Sequence, residues 1–557
     1  MGSRIQPLPT EVIHLIAAGE VIDSLAAVVR ELAENAIDAG ASRIRVSVWA
    51  NQWRIQVADN GAGMELAELQ QAALPHTTSK IHDRQDLWKI CSLGFRGEAL
   101  HSLAQLSELE ILSRPVLASQ GWRLLYNPQG EAIRVESAAI APGTIVTVNN
   151  LFGNWTARRE GLPPIAQQLR AIQTTIQQIA LSHPSLTWQV QQGDREWFNL
   201  WSGKTAQQIL PQILRKLQSG DLRELSLKIP PPEPSSLTFS SSSLLIGLPD
   251  RCHRHRPDWV RVAVNGRFVQ MPELEQTILN AFRRTLPRDR HPVCLLHLQV
   301  PPDQIDWNRH PAKAEIYLHH LEHWQAQVTT AIEQALRLDP ASESLASDRT
   351  QKLFKAAESG GGYHVNREIQ PAALLPASAF LTAIAQVHHR YILAEHPSGM
   401  WLIEQHIAHE RVLYEQICDR WQLVSLEPAI VLNQLSMSQI EQLQRLGLEV
   451  EPFGDQIWAV RNAPALLAQR DDCAAALVEL SLAGDLQTAQ VATACRSAIR
   501  NGTPLTLTEM QTLLNQWQQT RNPRTCPHGR PIYLSLEETA LSRFFRRHWV
   551  IGKSHGI

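Results

Sequence analysis

Between about Asp339 and Ala377 the sequence turns to Ser, Ala, Gly and Pro and includes the run ESGGGY at Glu358 to Tyr363. Such a stretch cannot bury enough apolar surface to offset the entropy of ordering it. It predicts a flexible linker over 338–377 and forces the chain to fold as separate blocks. The length agrees, since 557 residues exceed what one hydrophobic core normally organises. With 44% hydrophobic and 19% charged residues the composition is globular. No apolar run approaches the roughly 18 residues of a membrane span, so no membrane partner is expected. The start, MGSRIQPLPTEVIHLI, lacks the cationic flank, apolar block and cleavage site of a secretory signal. Seven cysteines spread from Cys91 to Cys526 make no disulfide framework. Both observations predict a cytoplasmic protein.

A formal net charge of -2 argues against permanent binding to a polyanion. The average hides one local excess, because residues 251–290 hold nine arginines against four acids. That segment is a candidate nucleic-acid footprint.

The first 335 residues alternate strand and helix patterns, which predicts an α/β (α+β) fold. A helix-like run from Ile13 to Ala39 leads into RIRVSVWA and WRIQVADNG, two alternating strands joined at Asn51 and Gln52 as a hairpin. Further strands are expected at Trp122–Tyr126, Ala132–Val135 and Thr144–Val148. The Pro- and Ser-rich Ile229–Ser243 reads as a loop or exposed edge. VRVAVNGRFV, an amphipathic Pro272–Thr285 and CLLHLQV then suggest a strand, helix and strand crossover. Beyond the linker, YILAEHPSGMWLIEQH reads as a hairpin running into a helix.

In VRELAENAIDAGA, helical spacing puts Glu31, Asn35 and Asp38 on nearly one face. A carboxylate there can deprotonate water, and an amide oxygen suits Mg²⁺; the plain alternative is a solvated helix face. Asp59 can accept from an exocyclic amine, and Gly61 and Gly63 permit close backbone approach. Thr78, Ser79 and Lys80 add hydroxyls and a cation. Gly94, Phe95, Arg96 and Gly97 precede an apolar helix, where free N–H groups make a phosphate cradle. The chain lacks the GxxxxGK[ST] loop, so this is no P-loop enzyme.

In the last block His406 and Glu410 are four apart on an expected helix and share a face suited to one metal. Glu415 lies about 140° round from Glu410, which leaves it a supporting role. Cys526 and His528, two apart in an extended segment, point the same way and can complete the set.

Taken together, ELAENAIDAGA, DNGAGM, TSKI with GFRGEAL, and GTIVTVNNLFGNWTAR resemble the ordered motifs of the GHKL ATPases, and within them the MutL family of mismatch-repair proteins. The resemblance implies a GHKL (Bergerat) sandwich over 1–205, an S5-like transducer over 206–337 and a dimerisation and endonuclease domain over 378–557. It implies Glu31 as general base, Asn35 as Mg²⁺ ligand, Asp59 as the adenine-reading group and Gly94–Gly97 as part of a phosphate lid. Lys313, in IDWNRHPAKAEI, would reach the γ-phosphate of ATP. EQHIAHERVLYE, ATACRSAIRNG, CPHGRP and FRR at Phe545–Arg547 are similar to the family's endonuclease set. They imply Glu404 and Glu410 as catalytic groups, and Zn²⁺ and Mn²⁺ held by His406, Glu410, Cys526 and His528. Glu404 stands where the signature has Asp, Ile407 where it has Ala, Trp155-Thr156 where it has Thr-Pro, and Leu25 where it has Pro.

The implied partners are DNA, a second copy of the chain, a MutS-type mismatch recognition protein, a helicase and a sliding clamp, the last through Leu426–Leu432. The implied location is the bacterial cytoplasm, at the nucleoid. The rival reading is an ATP-switched matchmaker without a nuclease. Other GHKL readings fail: nothing ahead of Glu31 leaves room for a kinase's phospho-acceptor helix, no EGDSA-like topoisomerase motif is present, and a chaperone does not account for CPHGRP.

Overall fold

A computed structural model of the chain describes residues 10–78, 80, 92–94, 97–231, 240–306, 316–338, 381–538 and 541–542. The expected linker lies almost entirely outside the described residues.

The run expected to be one helix from Ile13 to Ala39 is two, α1 (Thr10–Val21) and α2 (Leu25–Asp38). Ser24 causes the break: its backbone is extended and its Oγ accepts the N–H of Ala27 at 3.2 Å, so it caps a new helix instead of continuing the old one. Leu25, standing where Pro is usual, is fully buried as the first residue of α2. The helix closes at Gly40, where Gly40 N–H bonds Ile37 O and Ala41 N–H bonds Ala36 O, the paired contacts of a Schellman ending. Leu25, Val28, Val29, Leu32 and Ala36 are buried, leaving Glu31, Asn35 and Asp38 on the other side.

The buried side of α2 packs with α3 (Ile165–Ser182) in one core with the first sheet. That sheet comprises β1 (Arg43–Trp49), β2 (Arg54–Asp59), β3 (Glu108–Arg114), β4 (Gly121–Tyr126), β5 (Ala132–Ala138), β6 (Gly143–Asn149), β7 (Thr187–Gln192) and β8 (Arg195–Leu200). Its order is β5-β4-β3-β6-β2-β1-β7-β8, antiparallel but for β1 beside β7. The expected β1–β2 hairpin is present, with Val46 opposite Val57. Trp155, the departure in the fourth motif, packs its ring against Gly19 of α1.

A second sheet holds β9 (Leu222–Ile229), β10 (Ser240–Gly247), β11 (Val260–Val264), β12 (Arg267–Val269) and β13 (Cys294–Gln299), in the order β12-β11-β13-β10-β9. The expected crossover is there: α4 (Pro272–Ala281) links β11 to β13, which run parallel with Val262 opposite Leu296. It contains a tight β11–β12 hairpin that the sequence reading ran together. The helix stops at Ala281 rather than Thr285, because Arg284 takes a left-handed turn and Thr285 N–H bonds Phe282 O. The reading of Ile229–Ser243 as a loop or exposed edge is corrected. Ile229 ends β9, and Ser240–Ser243 open β10, which is paired on both sides; Ser240 and Ser242 are buried. Small hydroxyls fit a two-sided backbone ladder that composition alone does not reveal. Residues 232–239 lie outside the described residues.

The last block has β14 (Thr382–Val387), β15 (Tyr391–His396), β16 (Gly399–Glu404) and α5 (Gln405–Asp419), the expected hairpin running into a helix. A small sheet follows, β17 (Leu423–Asn433), β18 (Val450–Gly454) and β19 (Ile457–Pro464), ordered β17-β19-β18. Then come α6 (Leu486–Ser497), α7 (Leu507–Gln518) and β20 (Tyr533–Glu537), which joins the first of these sheets as β14-β15-β16-β20. Among the described residues no helix is long and apolar enough to cross a membrane, and all six cysteines are free thiols.

Candidate functional site

The polar face of α2 opens onto a cavity of about 510 Å³, lined by Glu31, Asn35, Asp38, Asp59, Gly63, Thr78, Lys80, Gly94 and Gly97 among others. Residues from Val21 to Val146 are thus brought to one concave surface, on which helical spacing alone accounts for Glu31, Asn35 and Asp38. Gly61 stands just behind the wall, its N–H donating to Asp59 Oδ1 at 2.8 Å. Burial raises the Asp59 carboxyl above its ordinary range, against the amides of Gly61 and Thr144. Gly63 has φ +74°, and a Cβ there would lie 2.2 Å from Arg114 O, so only glycine fits.

Lys80 Nζ sits 2.5 Å from Asp38 Oδ2 and 3.4 Å from Asn35 Oδ1. Asp38 also accepts the N–H groups of Leu93 (3.0 Å) and Gly94 (2.9 Å). Asp38 therefore anchors both the lysine and the start of the glycine segment, a task its helical spacing did not reveal. A cation already faces the Asn35 amide oxygen, so this donor set accommodates positive charge. With a carboxylate (Glu31), a hydroxyl (Thr78) and an ammonium beside it, the set fits a nucleotide with a divalent ion. Ser79, Phe95, Arg96 and Lys313 lie outside the described residues, as does Phe545–Arg547.

A second constellation forms at α5. One ligand atom each of Glu410, Cys526 and His528 lies within 4.8 Å of the others. Glu410 is fully buried, and its Oε1 and His528 Nδ1 meet as an ion pair at 2.8 Å. A carboxylate, a thiol and an imidazole gathered within reach of one point are the donor types that a zinc-class ion takes. Burial raises the Glu410 carboxyl, but His528, Arg530 and His406 outweigh it and hold it below its ordinary value. Burial also opposes the Cys526 thiolate, and hydrogen bonds with His528 and Arg530 pull that thiol down nonetheless. Cys526 and Glu410 in turn lift His528 to about 9.

His406 and Glu404, expected beside this set, stand outside the three. The His406 ring directs Nδ1 at Ile499 O, 2.9 Å away. A carbonyl only accepts, so Nδ1 donates to it and is turned away from ligand duty. Glu404 is the N-cap of α5: Oε2 accepts Ile407 N–H at 2.6 Å and Oε1 faces Arg390. Glu415 bears out its supporting role, accepting the N–H groups of Arg521 and Asn522. Sequence reasoning passed over two neighbours that its own motifs contained. Arg530 of CPHGRP reaches Glu410 at 3.2 Å, and the Cys495 thiol, raised to about 11 by burial and Glu410, faces the same carboxylate.

Residues 23–139 match the histidine kinase-, DNA gyrase B-, and HSP90-like ATPase family, 234–337 the DNA mismatch repair protein C-terminal domain and 384–505 the MutL C terminal dimerisation domain. The DNA mismatch repair protein MutL of Nostoc punctiforme is 64% identical over 569 residues, covering 100% of both chains. The chain belongs to the MutL family. Its relative in Nostoc sp. is 63% identical over 566 residues, and that of Syntrophotalea carbinolica is 29% identical across 98% of this chain.

The ATPase match spans Glu31, Asn35, Asp38, Asp59, Lys80 and Gly97 of the cavity, whereas the dimerisation match takes in His406, Glu410 and Cys495 but ends before Cys526. On the sheet β14-β15-β16-β20, Leu393, Leu402 and Leu534 form an apolar row across three strands, with Met400 beside Leu536 in the next. Met400 is 37% and Leu534 39% exposed. A contiguous apolar patch on a sheet marks a contact surface.

The arginine-rich segment is less free than its composition suggested. Arg251 pairs with Asp250, Arg254 with Asp258, and Arg267 is buried against Glu34.

Proposed function

We propose that this MutL-family chain is a homodimeric, ATP-switched repair protein that hydrolyses ATP in the α2 cavity and nicks DNA at the Glu410, Cys526 and His528 cluster. Glu31 would take the proton of the attacking water, Asn35 would hold Mg²⁺, Asp59 would accept from the adenine amine, and Lys80 with the Gly94–Gly97 segment would meet the phosphates. Lys313 would report the γ-phosphate from the second unit. The apolar row on β14-β15-β16-β20 would pair two copies, so that closure of the N-terminal halves encircles DNA. A MutS-type protein and a helicase are the further partners of this reading. The Leu426–Leu432 segment, exposed at Glu427 and Pro428 where the β17 edge strand loses register, would be offered to a sliding clamp.

The observation that carries the nuclease reading is the convergence of a fully buried carboxylate, a thiol and an imidazole on one point. Divalent ions held there would activate water and stabilise the leaving oxygen. In this reading the chain's residues hold and orient those ions, with Arg530 fixing the second oxygen of Glu410. One observation favours a matchmaker without nuclease: Glu404 is engaged in capping α5 and faces Arg390, away from the cluster's three ligands.

Supercoiled plasmid incubated with the full chain and Mn²⁺ separates the two. Nicked circles are expected from the parent and none from Glu410→Gln. A parent that leaves plasmid intact, or a variant that nicks as fast, rejects the nuclease and leaves the matchmaker.

A further inference from the structure

One buried cation crosses between the two cores of the N-terminal half. Arg267, on β12, is 8% exposed. Its Nε donates to Glu34 Oε1 at 3.0 Å, and its Nη2 donates both to the other Glu34 oxygen and to the Leu93 carbonyl, the latter at 2.8 Å. Glu34 is 4% exposed on the side of α2 turned away from the cavity. Leu93 precedes Gly94, and the N–H groups of both are held by Asp38. A single guanidinium on the second sheet thus grips the helix bearing Glu31, Asn35 and Asp38 together with the segment bearing Gly94.

The backbone beside it is equally constrained. Gly266 O accepts from His183 Nε2 at the end of α3, and Gly266 N–H donates to His297 Nε2 on β13, both at 3.0 Å. Gly266 has φ +84°, and a Cβ there would stand 2.8 Å from the His183 ring, so the joint has no slack. A buried ion pair contributes little stability beyond an apolar pair of the same size, because desolvation offsets the attraction. What a planar fork with three acceptors adds is direction and register.

We propose that Arg267 is a positioning residue for ATP hydrolysis: from the second sheet it fixes α2 and the Leu93–Gly94 segment relative to one another, and so the aim of Glu31 and Asn35 at the reacting phosphate. The inference rests on the ATP-hydrolysis reading above. Arg267, Glu34 and Leu93 do not line the cavity, so any effect on turnover passes through the groups they hold. Misplacing a catalytic group by about 1 Å costs on the order of 10²-fold in rate, whereas binding spread over many contacts changes far less.

The test uses the full chain and three variants: Arg267→Gln, Arg267→Lys, and the double Glu34→Gln/Arg267→Gln, which leaves no lone buried charge and guards against misfolding. Steady-state ATP hydrolysis, ADP affinity by titration calorimetry and Tm are measured on each. Expected is a kcat reduced roughly 100-fold in Arg267→Gln and in the double variant, with KM and ADP affinity within about threefold of the parent. Arg267→Lys, which keeps the charge but not the fork, falls between. Folded variants with the parental kcat overturn the proposal. So does a fall in kcat matched by equal falls in ADP affinity and Tm, the signature of a merely structural residue. A parent that hydrolyses no ATP overturns the underlying reading and this inference with it.

Discussion

The α2 cavity and the α5 cluster treat charge in opposite ways. In the cavity the chain balances its own: Asp38 takes Lys80 and two backbone N–H groups, and Lys80 faces the Asn35 oxygen as well. At α5 charge is concentrated instead: buried Glu410 meets His528 at 2.8 Å and Arg530 at 3.2 Å, with the Cys526 thiol beside them. An open cavity whose polar groups already hold one another favours a ligand bound and released in a cycle, whereas a close set of carboxylate, thiol and imidazole favours a resident ion.

The sharpest way to break this contrast is Asn35→Ala. If the Lys80–Asp38 pair already supplies the positive charge that turnover needs, the variant keeps working. If the Asn35 oxygen must hold a divalent ion, ATP hydrolysis falls by roughly 10³-fold or more, with Tm held because Asn35 is only half-buried and alanine suits a helix. Phosphate release measured at saturating ATP decides it, and a parental rate ends the ion-holding role.

Cys526→Ser tests the other side. Replacing a thiol by a hydroxyl keeps the size of the group and removes the soft donor, so zinc affinity after chelation should fall by at least about a hundredfold while ATP hydrolysis in the cavity stays at the parental rate. Competition with a chromogenic chelator gives the affinity. Undiminished zinc binding would show that the ion sits elsewhere, and the convergence of Glu410, Cys526 and His528 would then need another cause.

These two sites were legible in the sequence to different depths. Glu31, Asn35 and Asp38 share a face because helical periodicity fixes it, and a reader of one segment can place all three. The convergence of Glu410, Cys526 and His528 was legible by residue type, since Cys526 and His528 lie 116 and 118 positions beyond Glu410 and chemistry alone pairs them. What stayed hidden was orientation: His406 turns its Nδ1 to Ile499 O, and Glu404 caps its helix, through contacts that no spacing rule encodes. The Glu34–Arg267 pair, 233 residues apart, was hidden for a stronger reason: each looks from its own segment like an ordinary surface charge. The break at Ser24 was missed because apolar periodicity runs on through it, although the capping serine was in view. The buried serines of β10 were missed because composition describes side chains, and pairing on both sides is a property of the backbone.

The smallest effect expected concerns acid, and it falls on the ATP-binding half. His297 Nε2 accepts from the Gly266 N–H and meets the Gln299 amide at 3.0 Å, so it must be unprotonated to keep both contacts. Burial, with nearby His183, lowers it to about 4; His183 itself is lowered by burial, with the Gly266 carbonyl and Asp38 acting the other way. A histidine depressed in the folded chain excludes a proton that the unfolded chain binds below about 6.5. Its contribution is therefore present above that pH and is lost progressively toward about 4. At pH 5.5 the His297 share comes to about 1.4 kcal/mol, one pH unit of linkage. Urea unfolding of the full chain at pH 7.5 and 5.5 measures it on the transition that carries the N-terminal half. In His297→Gln, which keeps an acceptor oxygen and cannot titrate, the loss on acidification should shrink by about that amount. An unchanged loss would place the acid sensitivity outside this joint and leave Gly266 held by shape alone.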